Sequence, residues 1–304
     1  MSSRIFVTGA AGHVGGAIAL RLARAGHEVW GLTRSQESAA ALQRAGIKPV
    51  VGELAKPAGF MGPLKNCDAA VHAAVDAKAP AETDQKALEA FRGAAQDGRM
   101  RRLLYTSGAW LMGNTGGKVA DETTPLVPAE ISRWRVAHEE AALDLADDEV
   151  AVVVLRPALV YGGSRGILGG LFAEAHARHT VTIPGDGSQH WETVHRDDVA
   201  EAYRLALDYA RGGDRYLLAD EAHPTAGEVG AAIARVTGAS LRLWEAAVVV
   251  KELGGYGAGL LLSQKLSAAR ARRELGWVAR HNSFVGEIES IHGEWLSGRP
   301  TRVG

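Results

Sequence analysis

The sequence predicts an α/β protein: a doubly wound parallel sheet with a smaller C-terminal α+β lobe. Three observations carry this. Short apolar runs alternate with stretches of helical spacing through the first half of the chain. Those runs are apolar on both faces, which fits strands covered by helices above and below. A glycine-rich turn, Thr8-Gly9-x-x-Gly12-x-x-Gly15, lies between the first run and the first helix.

The composition narrows the class further. The 304 residues carry 34 Lys+Arg against 35 Asp+Glu, a formal net charge of -1. That balance argues against nucleic-acid binding, which would need a basic surplus or stripe. A hydrophobic content of 46% with 23% charged residues is that of a globular protein. The single cysteine, Cys67, excludes an intramolecular disulfide and a cysteine zinc site, and the scattered histidines suggest no metal. No apolar run approaches the ~20 residues of a membrane span. The first four residues lead straight into a strand without the apolar core of a signal peptide. A soluble, cytoplasmic protein acting on a small molecule is therefore expected.

The elements follow in order. Residues 5–7 form the first strand, and Ile18 and Leu22 mark a helix over 17–25 that Gly26-His27 ends. Residues 28–32 are the second strand, followed by Thr33-Arg34-Ser35 and a helix over 37–45. Strands follow at 48–51, 69–73 and 102–107, with a helix at 87–96. Residues 131–146 read as one long helix with Ser132 as its N-cap, and 150–155 as a sixth strand. After Arg156-Pro157 the alternation loosens. A glycine-rich stretch at 161–170 leads to a helix near 171–178, then to residues 180–184, a turn at Gly185-Asp186-Gly187 and residues 190–195. Residues 197–210 are helical, 215–218 are a short strand, and the chain from Pro224 is mainly helical. The domain reading assigns residues 1–160 to the large domain, with 190–215 returning to it. Residues 161–189 and 216–304 build the smaller lobe.

The glycine turn carries chemistry. Glycine permits the tight turn and lets the backbone approach a pyrophosphate, and the following helix offers free N–H groups and a partial positive charge. In a strand–turn–helix context this is the Rossmann-type dinucleotide site, with Thr8, Gly9, Gly12, His13, Val14 and Gly15 as contacts. The end of the second strand reads the adenosine ribose. An acid there would bind a 2′-hydroxyl, whereas the chain has Thr33-Arg34-Ser35, a cation between two hydroxyls suited to a 2′-phosphate. NADP(H) is expected, with NAD(H) as the alternative.

Together these residues resemble the extended short-chain dehydrogenase/reductase superfamily, which includes nucleotide-sugar epimerases and dehydratases. Gly52-Glu53-Leu54 is similar to its Gly-Asp-Leu, so Glu53 and Leu54 are implied at the adenine. Val71-His72-Ala73-Ala74 is similar to the strand end beneath the cofactor, which implies contacts from His72, Ala73 and Ala74. Tyr105-Thr106-Ser107 places Ser107 at the position of the superfamily's active-site serine. Leu155-Arg156-Pro157-Ala158-Leu159-Val160-Tyr161-Gly162 resembles the segment beside the nicotinamide and implies contacts from Pro157 and Val160. Val194-His195-Arg196-Asp197-Asp198-Val199-Ala200 and Glu274-Leu275-Gly276-Trp277 match later motifs in the same order.

One motif is missing. The superfamily's Tyr-x-x-x-Lys pair does not occur, and the best registration places Trp134 at the tyrosine and His138 at the lysine. An indole donates only its N–H and cannot act as an acid or base at neutral pH. His138, with an ordinary imidazole pKa near ~6.5, can do either, and being four residues from Trp134 it shares one helical face with it. His138 is therefore read as catalytic or as a contact to the cofactor ribose or phosphate. Trp134 is read as a pocket wall, and Tyr161 as a second proton source or a packing residue. Trp110, Trp134 and Trp191 are expected to meet an apolar or aromatic substrate. Three functions remain open: an NADP(H)-dependent oxidoreductase on a small carbonyl or alcohol, a non-redox isomerase, lyase or cyclase, and a non-catalytic NADP-binding regulator. A homodimer is also open.

Overall fold

The computed structural model describes residues 2–147 and 149–298. The first half alternates as read: β1 (Arg4–Thr8), α1 (His13–Arg24), β2 (Glu28–Thr33), α2 (Gln36–Arg44), β3 (Lys48–Val51), α3 (Met61–Lys65), β4 (Ala69–His72), α4 (Pro80–Asp97) and β5 (Arg102–Thr106). Then come β6 (Val119–Ala120), α5 (Trp134–Leu143), β7 (Ala151–Pro157), β8 (Leu159–Tyr161), α6 (Gly166–Arg178), β9 (Thr180–Pro184), β10 (Thr193–His195) and α7 (Arg196–Tyr209). The chain continues through β11 (Arg215–Leu218), α8 (Ala226–Thr237), β12 (Ser240–Trp244), α9 (Ala246–Leu260), β13 (Lys265–Leu266), α10 (Ala269–Leu275) and α11 (Ile288–Ser297).

Seven parallel strands form the central sheet in the order β11-β7-β5-β4-β1-β2-β3. Both faces of its inner strands are buried. Ile5 and Val7 pack with α1 and α7, whereas Phe6 packs with residues of α3, α4 and α5. This accounts for the unbroken apolar runs, because neither face meets water. The strand order reverses between β1 and β4, and in sheets of this kind ligands bind at such a switch point, outside the carboxyl ends of the strands. A third core, around Phe172, Ile183, Trp191, Phe284 and Trp295, belongs to the smaller lobe.

Four details differ from the sequence reading. The helix expected at 87–96 begins at Pro80, because proline at the first helical position loses no hydrogen bond and has the right φ. The helix expected at 131–146 is shorter. Ser132 lies in a 3-10 turn (Glu130–Ser132) and bonds back to the Ala129 carbonyl, so it is not the N-cap, and α5 runs only from Trp134 to Leu143. The C-terminal part is not only helical, since β12 pairs in parallel with β9. The boundary at residue 215 also moves: β11 is the seventh strand of the central sheet, beside β7. Arg270 of α10 stacks on Tyr216 at 5.2 Å and bonds to Asp214 at 2.6 Å, which fixes α10 beside that strand.

Candidate active site

The sheet register assembles the centre of the site. Thr8 of β1 lies opposite His72 of β4, and His72 opposite Tyr105 of β5. In a parallel sheet one row across the strands presents its side chains to one face, so these three point the same way. The helix α4 covers that face and offers Asp84. His72 Nε2 lies 2.9 Å from Asp84 Oδ1, and the Tyr105 hydroxyl donates to Asp84 Oδ2 at 2.8 Å. His72 Nδ1 lies 2.8 Å from the Thr8 hydroxyl, whose oxygen accepts the N–H groups of Ala73 and Ala74.

The third partner of Asp84 comes from α5. His138 Nδ1 lies 2.8 Å from Asp84 Oδ2, while His138 Nε2 has no hydrogen bond among the described residues. Burial pushes the Asp84 carboxyl up, but donors from His72, His138 and Tyr105 hold it below the usual carboxylate range. Asp84 therefore stays ionised, which places the His138 proton on Nδ1 and leaves Nε2 as the exchanging nitrogen. A second bond fixes α5: Glu139 and Arg156 of β7 form a buried two-point ion pair at 2.9 and 2.5 Å. Trp134 stands edge-on to His138 at 4.9 Å between ring centroids and carries the Arg135 guanidinium on its face at 4.5 Å. Arg135 in turn donates to the Thr106 carbonyl, next to Ser107.

Ser107 and Tyr161 have a different character. The Ser107 hydroxyl and the Tyr161 hydroxyl are buried without a hydrogen-bond partner among the described residues. An unpaired buried hydroxyl is costly and uncommon in folded proteins. Tyr161 packs edge-on against His195 and Phe284, at 5.1 and 5.2 Å, and burial holds its phenol well above the usual range. His195 contacts Glu294 at 3.1 Å and its ring accepts the Asp197 N–H, so it serves as the N-cap of α7.

The turn after β1 fits a nucleotide phosphate. Gly9 has φ +69°, and a Cβ there would lie 2.7 Å from the Ala73 carbonyl oxygen. A Cβ on Gly15 would lie 2.4 Å from the Gly9 carbonyl oxygen, so the turn closes only with glycine at both positions. Gly12 caps α1 without a side chain, which leaves the N–H groups of its first turn open to an anion. Val14 is half-buried against the core beneath it. The His13 ring turns away toward the Val160 carbonyl at 3.3 Å, and burial lowers its pKa.

At the end of β2, Thr33 is buried, Ser35 caps α2 by accepting the Ser38 N–H, and Arg34 is exposed near the carboxylate of Asp76. Glu53 is exposed and pairs with Lys56 at 3.1 Å, and Leu54 is half-buried. Pro157 is buried at the end of β7, one residue after the Arg156 anchor. Cys67 is fully buried, with its thiol pushed up to about 12 by burial. Among the described residues no group of three or more His, Cys, Asp or Glu could hold a metal ion, and no helix is long and apolar enough to cross a membrane.

The NAD dependent epimerase/dehydratase family model matches residues 5–219. The chain belongs to that family. Family members take a nicotinamide dinucleotide, and NAD is bound in the similar structures of Thermus thermophilus UDP-glucose 4-epimerase and Streptomyces venezuelae dTDP-glucose 4,6-dehydratase. The first is 22% identical with a TM-score of 0.79, covering 97% of this chain and 100% of that one. The second is 20% identical with a TM-score of 0.80 over the same shares. At such identities the likeness is one of fold.

Relatives by sequence include reductases. A Stigmatella aurantiaca 4-hydroxy-2-methyl-3-oxo-4-farnesyl-3,4-dihydroquinoline-1-oxide ketoreductase is 27% identical over 72% of this chain and 69% of its own. A Stenotrophomonas maltophilia 2-alkyl-3-oxoalkanoate reductase is 28% identical over 67% and 65%. Within the family frame, Asp84 and Tyr105 are the residues that sequence reasoning missed. The signal existed for Asp84, since it shares the buried face of α4 with Ala87, Leu88, Phe91 and Ala94. A carboxylate on an apolar helical face needs partners.

Proposed function

We propose that the protein is an NADP(H)-dependent oxidoreductase acting on a small carbonyl or alcohol, with His138 as the proton carrier and Asp84 as the residue that positions it. The observation that carries this reading is the 2.8 Å contact between His138 Nδ1 and the buried, ionised Asp84. It orients the His138 imidazole and fixes its tautomer on the face where the indole of Trp134 can move no proton at neutral pH.

The bound nicotinamide supplies or accepts the hydride. Thr8, Gly9, Gly12, His13, Val14 and Gly15 hold the pyrophosphate through backbone N–H groups, and Ala73, Ala74, Pro157 and Val160 border the ring and ribose. Glu53 and Leu54 border the adenine. Thr33, Arg34 and Ser35 face the adenosine ribose, and the single exposed cation among them supports NADP(H) over NAD(H). The Ser107 hydroxyl donates to the reacting oxygen. In reduction, His138 Nε2 gives its proton to that oxygen while Asp84 stabilises the imidazolium, and in oxidation the neutral Nε2 takes the proton back. Trp134 shields this exchange from water. The reductase relatives support a redox reaction over isomerisation or elimination.

The test is oxidation of NADPH at 340 nm with a panel of ketones, repeated with His138→Ala. Turnover should fall by roughly 10²–10⁴-fold in the variant. An unchanged kcat would remove His138 from the mechanism. Product formation without any change in NADPH absorbance would replace the redox reading with a non-redox one.

A further inference from the structure

The smaller lobe holds a cavity of about 590 Å³ between α6, β9, β12 and α9. That is ample for a small organic ligand. It runs along α6 from Ile167 to Arg178, eleven residues and so roughly 16 Å at the helical rise of ~1.5 Å per residue. Its lining is mixed: Leu171, Trp191, Trp244, Tyr256 and Leu260 supply apolar and aromatic surface, and Thr180 and Thr182 stand beside them with the charged groups. The Trp191 indole is itself buried, and its N–H is committed to the Leu260 carbonyl at 2.9 Å, so it brings no free donor to the cavity.

The charged groups of the cavity do not favour an anion. Two cations, Arg178 and Arg242, stand against two carboxylates, Glu174 and Glu252, and Glu174 is occupied by the Thr182 N–H and hydroxyl at 2.9 and 2.7 Å. A nucleoside diphosphate would find no surplus of positive charge to offset its desolvation.

The helix α9, which lines the cavity, also packs against the loop that follows Ser107. Trp110 lies three residues beyond Ser107, and its ring meets Tyr256 at 6.0 Å between centroids. Gly254, at φ +57°, breaks the helix, and a Cβ on Gly259 would lie 2.7 Å from the Trp110 ring. The glycines of α9 thus let the Trp110 loop press against its backbone, and Gln264 holds that loop by donating to the carbonyls of Ala109 and Gly113.

We propose that this cavity binds an alkyl or aryl arm of the substrate, so that the protein takes carbonyl compounds with an extended apolar substituent and not nucleotide-linked sugars. The proposal rests on the oxidoreductase reading for the reacting end of the substrate. Binding of the arm is a property of the smaller lobe.

Two measurements separate the two claims. Tryptophan fluorescence, with Trp191 and Trp244 in the wall, is titrated with n-alkanols from butanol to decanol, without cofactor. The dissociation constant should fall about two- to four-fold per methylene, as expected for burying each CH₂. Leu171→Asp should flatten that dependence, and Tyr256→Ala serves the same purpose should the first variant fail to fold. A chain-length-independent constant, or saturable quenching by UDP where the alkanols give none, would overturn the proposal. Separately, kcat/KM for 2-alkanones with NADPH should rise with chain length by a similar factor. Alkanol binding without any ketone turnover would remove the oxidoreductase reading and leave the cavity assignment standing. Turnover with a flat series would do the reverse.

Discussion

Two buried carboxyl centres in this molecule behave in opposite ways. Asp84, on α4 against the central sheet, is held below the usual carboxylate range although burial opposes it. Asp220 and Glu192, where the central sheet hands over to the smaller lobe, are each pushed up to about 7, chiefly by burial. The difference lies in the partners. Asp84 accepts from two imidazoles and a phenol. Asp220 accepts one hydroxyl, from Thr193, and one N–H, from Ala222. Glu192 accepts N–H groups from Glu221 and Leu266 and touches His223 Nδ1, but neighbouring carboxylates disfavour its charge. Similar burial therefore gives an ionised group where three side-chain donors converge on one carboxylate, and a partly protonated one where a second carboxylate lies close, Glu221 beside Glu192 and Glu192 beside Asp220.

The largest expected effect breaks the first centre. Asp84→Ala leaves His72, His138 and Tyr105 without their common acceptor, and loss of one side of a buried polar cluster costs roughly 3–5 kcal/mol. Urea unfolding at pH 7 measures this. Asp84→Asn keeps the volume but offers a single acceptor, so His138 loses its fixed tautomer. The expected result is a fall in kcat of about 10²-fold or more with a displaced pH–rate profile and little change in KM. An unshifted profile would reduce Asp84 to a structural role.

The second centre predicts a slope of the opposite sign. A carboxyl whose folded pKa is depressed stabilises the fold above its unfolded value and loses that contribution as pH falls below about 4. Asp220 has the reverse shift, from 3.8 to about 7, so its contribution is complete below pH 3.8 and is lost as pH rises to about 7. Asp220→Asn removes the titration while keeping a shape that can bond Thr193. Its melting temperature should exceed that of the parent by roughly 3–6 °C at pH 8, and the gap should close near pH 4. A constant gap across that range would show that Asp220 does not titrate there.

The comparison also shows what can be read from a sequence. The large sheet was legible because its evidence is local: apolar runs, a glycine turn and helical spacing all occur within a few residues. Asp84 was harder to read because its role depends on register. Nothing near residue 84 says that Thr8, His72 and Tyr105 will lie in one row across three strands. Its setting on the apolar face of α4 was visible, but the start of that helix at Pro80 was not, since the apolar spacing begins only at Ala87. The strand at 240–244 was missed for a related reason. All but its last residue are exposed, so it carries no burial pattern, and its pairing with β9 comes from residues some sixty positions earlier.

Ser107 completes the comparison as a buried polar group with no partner in the chain, and it predicts the smallest change in stability. Asp84 is satisfied three times over and Asp220 in part, whereas the Ser107 hydroxyl is orphaned. Removing a satisfied group strands its partners, but removing an orphan strands nothing. Ser107→Ala should therefore shift the unfolding free energy by no more than about 0.5 kcal/mol, or even raise it, because the desolvated hydroxyl is gone. Activity should move the other way. If the hydroxyl meets the reacting oxygen, kcat/KM should fall by about 10²-fold, the usual cost of losing one donor at a developing charge. Stability and turnover measured on the same preparation give the decisive pairing. A large loss of stability with ordinary turnover would mean that Ser107 packs the end of β5 and takes no part in the reaction.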